Sequence, residues 1–124
     1  MFKKLLLGLA VLVTMQILAE ASDCSSHDMI LGRRSWNDKV IYEKTIKLDS
    51  KWLQKQSLDV SFPPKGASNP HKITRIELTD RMKAGEGGCA YLTRGGVGEY
   101  AVELHLKTQR GNGMKFDLKV YGEP

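Results

Sequence analysis

From residue 100 to residue 107 apolar and polar side chains alternate, with Tyr100, Val102, Leu104 and Leu106 on one side and Glu103, His105 and Lys107 on the other. A period of two sends successive side chains to opposite faces, so the stretch is a strand with one buried and one wet face. Leu58, Val60 and Phe62 repeat the pattern until Pro63-Pro64 stops it, and Phe116, Leu118 and Val120 repeat it until Gly122. Val40, Tyr42, Ile46 and Leu48 extend it over a longer strand in which Lys44 is out of pattern, a sign of a bulge or an edge. Ile73, Ile76 and Leu78 fit either a helix or a bulged strand, and their β-branched members favour the strand. Met29 to Arg34 and Ala90 to Thr93 are shorter candidates.

Turn residues separate these segments: Pro63-Pro64-Lys65-Gly66, Gly85-Glu86-Gly87-Gly88, Gly95-Gly96-Val97-Gly98 and Gly111-Asn112-Gly113. The rhythm predicts an all-β fold, a single compact antiparallel β-sandwich or open barrel of about six to eight strands. The connections Arg94 to Glu99 and Arg110 to Met114 are short enough to make the last three strands a meander of hairpins. With 41% hydrophobic residues the chain can form a core, and neither a long amphipathic helix nor a repeat is visible.

The N-terminus reads differently. Lys3 and Lys4 precede an apolar run from Leu5 to Leu18, and Ala19-Glu20-Ala21 places small residues where a signal peptidase reads. The run is about 14 residues, short of the roughly 20 that span a bilayer. The expectation is a signal peptide over residues 1–21, a single secreted β domain over residues 22–124, and no stable membrane anchor. Export carries Cys24 and Cys89 into an oxidising compartment, where a disulfide between them is expected. For a loop of that length the chain-entropy model gives at most about 4 kcal/mol. Two free thiols, or a bridge to a second molecule, are the alternatives.

Chemistry-bearing motifs are sparse. Gly85-Glu86-Gly87-Gly88-Cys89-Ala90 matches the G-x-G-x-x-A dinucleotide fingerprint in letters, but a strand follows where a helix must open. His27, His71 and His105 lack a metal-ligand spacing, and no nucleophile elbow, zinc-protease motif or defensible acidic pair is present. No enzyme, no metal and no cofactor is expected. The net charge of +5 is mild. Arg33, Arg34, Arg94 and Arg110 fall at strand ends or turns, where guanidinium forks can hold carboxylates or phosphates, and they form the candidate partner surface. Most aromatics fall in or beside the apolar strand pattern, so the exposed aromatics of a nucleic-acid surface are missing and no nucleic-acid partner is expected.

Leu31-Gly32-Arg33-Arg34, Ile41-Tyr42-Glu43-Lys44-Thr45, Arg75-Ile76, Gly87-Gly88, Gly95-Gly96-Val97-Gly98, Gln109-Arg110-Gly111-Asn112-Gly113 and Val120-Tyr121-Gly122, taken in order, resemble the arthropod multiprotein bridging factor two family. Its members are labelled transcription activator or probable salivary secreted peptide. The resemblance implies either a coactivator bridging a nuclear receptor and the basal transcription machinery, or a protein of saliva, venom or other secretions, and it carries no catalytic residues. Combined with the export signal, the expectation is a secreted, extracellular, non-enzymatic binding or effector protein of insect saliva, venom or body fluid. Its partner would be an extracellular protein or small ligand, with the coactivator as the alternative.

Overall fold

The alternating segments pair edge to edge, because an isolated strand leaves its backbone N–H and C=O groups unsatisfied. The computed structural model describes residues 28–124. Among them the strands are β1 (Met29–Gly32), β2 (Lys39–Leu48), β3 (Ser57–Phe62), β4 (Ile73–Asp80), β5 (Cys89–Gly95), β6 (Val102–Lys107) and β7 (Met114–Gly122). They form a four-stranded sheet in the order β1-β4-β7-β2 and a three-stranded sheet in the order β3-β6-β5. All pairings are antiparallel. The fold is therefore the expected all-β sandwich, with the two sheets not closed into a barrel. The signal segment, Cys24 and His27 lie outside the described residues.

The two apolar faces meet in one core. Ile46, Ile76, Leu78, Met114, Phe116, Leu118 and Val120 come from the larger sheet, and Val60, Phe62, Val102, Leu104 and Leu106 from the smaller. Leu104 and Phe116 are wholly inaccessible, at 0%. Burying each such side chain is worth about 1.5–3 kcal/mol relative to leaving it exposed.

Three sequence expectations change in detail. Tyr100 does not continue the buried face of β6: the strand starts at Val102, and Tyr100 lies in the preceding turn, 51% exposed. Nor are the last three strands a meander. β5 and β6 form a hairpin, but β7 crosses to the other sheet, between β4 and β2. With Met114, Phe116, Leu118 and Val120 all buried, β7 is better placed at the centre of the larger sheet than as an edge of the smaller. The irregularity expected in β2 is real, since β2 is an edge strand, but its register shift falls between Val40 and Tyr42, not at Lys44. Lys44 sits opposite Leu118 at the sheet edge, where an ammonium stays in water and guards the edge against further pairing. β4 is a strand with a register shift between Ile73 and Arg75.

One connection shapes the surface. β1 and β2 occupy opposite edges of their sheet, so residues 33–38 must cross the ends of β4 and β7. Three strand spacings amount to about 14 Å, within reach of six residues even with the turn in which Asp38 N–H donates to the Ser35 carbonyl. The crossing starts at Gly32, whose φ is +80° and whose position leaves no room for a Cβ between the Thr74 carbonyl and the Val97 side chain. Only glycine fits there without strain.

Candidate functional site

The outer face of the four-stranded sheet is covered by charges that meet in pairs across the strands. Opposite residues of neighbouring strands share a face, which aligns Glu77, Lys119 and Glu43 in one row and Thr79, Asp117 and Thr45 in the next. Asp117 accepts from Arg81 Nε at 2.6 Å and from the Thr45 hydroxyl at 2.9 Å. The Arg81 and Thr45 hydrogen bonds hold the Asp117 carboxyl below its ordinary value. Lys119 lies 3.7 Å from Glu43, and Arg75 Nε donates to Glu77 at 2.8 Å.

At the end where the crossing loop passes, Asp38 is the anchor. It is only 8% exposed, yet its carboxylate accepts from Arg34 Nε at 2.7 Å, the Ser35 backbone N–H at 2.8 Å and the Thr74 hydroxyl at 2.9 Å. Burial alone pushes its pKa up, but those hydrogen bonds outweigh it and leave the carboxyl more acidic than usual. The Arg34 guanidinium, held above its ordinary value chiefly by the Asp38 hydrogen bond, lies 4.3 Å from the Tyr121 ring centroid in a cation–π contact. Tyr121 in turn donates its hydroxyl to Glu77 at 3.4 Å.

Within the outer-face network lies a shallow polar depression of about 380 Å³, bounded by Glu43, Thr45, Glu77, Thr79, Arg81 and Asp117 among others. Its carboxylates are engaged by cations and hydroxyls, an arrangement suited to hydrogen-bonding a polar ligand. Asp117 and Asp38 are shifted away from neutrality, the opposite of what proton transfer near pH 7 requires. A second depression of about 290 Å³ lies at the end of β3, where Arg94 joins Phe62, Pro63, Pro64, Val102 and Glu103.

The four arginines singled out from sequence do not form one surface. Arg34 is committed to Asp38 and Tyr121, while Arg33 beside it is exposed. Arg94 lies opposite Glu103 near the same end of the sandwich. Arg110 is at the other end, beyond β6, where its Nη1 reaches the Leu53 carbonyl at 3.4 Å. Cys89 opens β5 and is buried, its expected partner Cys24 lying outside the described residues. His71 Nδ1 lies 2.8 Å from the Glu123 carbonyl, and His105 Nδ1 lies 2.7 Å from Asp59 with Tyr91 beside it. Among the described residues no group of three or more His, Cys, Asp and Glu could hold a metal ion. The glycine-rich 85–88 segment is a loop, as its sequence context implies; Gln109 Nε2 donates to the carbonyls of Gly85 and Gly87.

The aromatics are where the sequence reading fails. Trp36 is 96% and Trp52 85% exposed, in the β1–β2 and β2–β3 connections. Neither belongs to an alternating segment, and Trp52-Leu53 sits between Lys51 and Lys55, a local signal that could have marked it as surface.

With this geometry in place, comparison with known proteins identifies the class. The model of the family described as transcription activator MBF2 matches residues 31–122, and the chain belongs to that family. It is 30% identical over 96 residues to a protein of the bumblebee Bombus ignitus named "Probable salivary secreted peptide", covering 77% of this chain and 69% of that one. No solved structure matches.

Proposed function

We propose that the protein is exported and acts outside the cell as a non-enzymatic binding or effector protein, with residues 22–124 as its working domain. The observation that carries this reading is the N-terminal arrangement of Lys3-Lys4, an apolar run too short to span a bilayer, and Ala19-Glu20-Ala21. The name of the bumblebee relative supports it. A β-sandwich that offers paired surface charges and shallow depressions suits recognition better than chemistry. The test is proteomic: tryptic and N-terminal peptides of this chain are sought in saliva, venom and body fluid of the source animal. Recovery of a chain beginning at Ser22 supports the reading; finding only intracellular chain with Met1 intact removes it.

The family description favours a second reading, a transcription coactivator. It requires the protein to reach the nucleus, and it is kept only if the chain captures a nuclear receptor or a general transcription factor under reducing conditions.

A further inference from the structure

We infer that the tip of the β2–β3 loop, entered by Trp52 and Leu53, docks on the surface of a bilayer rich in anionic lipid. This goes beyond export and does not rest on it. Trp52 and Leu53 are adjacent, 85% and 55% exposed, in the connection between β2 and β3. The tip is built. Gln54 N–H donates to the Lys51 carbonyl at 3.1 Å, Gly111 N–H donates to the Gln54 carbonyl at 2.9 Å, and Arg110 reaches the Leu53 carbonyl. Leu53 itself is held at φ 58°, a conformation rare for a bulky L-residue and here found at the point where apolar surface is presented.

The chain on either side of the tip is basic. Lys51 and Lys55 flank the apolar pair in the chain, and Arg110 lies on the adjoining turn. The nearest acid in sequence, Asp49, is 3.9 Å from Lys47. An indole beside leucine, with Lys51 next to it, is the composition of the lipid headgroup boundary, where the ring sits at the interface and a lysine stem buries while its ammonium group reaches phosphate. Protein interfaces are instead depleted in lysine and favour cores with matching concavities. An exposed apolar tip fits a deformable surface. Two apolar side chains and a few cations give reversible association that weakens with salt.

The test uses the purified protein in a Trp36→Phe background, where Trp52 is the remaining indole. The first residue is determined by intact mass, because an uncut apolar run would itself enter lipid. Vesicles of phosphatidylcholine alone are compared with vesicles carrying about one-third phosphatidylserine. The expected result is a blue shift of Trp52 emission and co-sedimentation with the anionic vesicles only. The Trp52→Ala/Leu53→Ala variant, which carries the same N-terminus, should lose at least about tenfold in partitioning. Lys51→Glu, which leaves both apolar side chains in place, should lose at least about fivefold. Unshifted emission, or co-sedimentation that both variants retain, overturns the proposal. Binding to polyglutamate at the same salt without binding to vesicles also overturns it and assigns the tip to an acidic protein.

Discussion

The hydroxyl of Thr74 donates to the carboxylate of Asp38 across 2.9 Å, and this bond ties the loop that crosses the sheet to the β4 strand beneath it. Arg34 and Ser35 donate to the same carboxylate from within the loop. Thr74→Val keeps the shape and removes one donor from a nearly buried acceptor. It should lower stability by about 1–3 kcal/mol, read from chemical denaturation.

The same carboxylate makes stability depend on acid. Asp38 and Asp117 are both held below their ordinary value of 3.8 in the folded chain. A group whose folded pKa is depressed contributes stability that is complete above its unfolded value and disappears as pH falls through the folded one. The thermal midpoint should therefore drop as pH is lowered from about 5 through the acid range. The Asp38→Asn/Asp117→Asn variant should start lower and show a shallower decline. An equally steep decline in that variant would show that other carboxylates carry the acid sensitivity.

Adjacent residues of β6 should respond in opposite ways. Leu104 is wholly buried, and Leu104→Asp places an unpaired carboxylate in the core, a loss of roughly 4 kcal/mol or more. His105 is on the outer face, beside Asp59 and Tyr91, and His105→Ala should cost no more than about 1 kcal/mol. Similar thermal midpoints for the two variants would contradict the face assignment.

Gly32→Ala should destabilise by more than about 1 kcal/mol, because φ is positive and the added Cβ meets the Thr74 carbonyl and Val97. The effect should appear in the crossing loop, as faster amide exchange for residues 33–38 than for β7.

β6 and most of β7 were legible because one face of each is wet. Val102 to Lys107 and Met114 to Val120 alternate in sequence and in burial alike. Topology was not legible to the same degree. The six residues after β6 are compatible with a hairpin or with a crossing to the other sheet, and the choice depends on which sheet can cover β7. The surface networks were less visible still. Arg34 and Asp38 are close in sequence, but Thr74 and Tyr121 reach them only through the β1-β4-β7 order. Trp52 escaped notice because it lies outside the alternating segments on which the aromatics were judged, although its flanking lysines were a local sign of the exposure the structure shows.

Export implies a further chemical property. If Cys24 and Cys89 are paired, the non-reduced protein is two hydrogens lighter than the dithiol and monomeric. Reduction should then loosen the N-terminal segment more than the central strands, with a loss of at most about 4 kcal/mol. Two alkylatable thiols, or a linked dimer, would contradict the pairing.

Export itself is tested most directly by expressing the full chain in insect cells and measuring the intact mass of the protein in the medium and in the cells. The account predicts that most of the protein is in the medium, with a mass that begins at Ser22 and lacks Met1 to Ala21. Protein confined to the cells with Met1 or its initiator-processed form intact would contradict it.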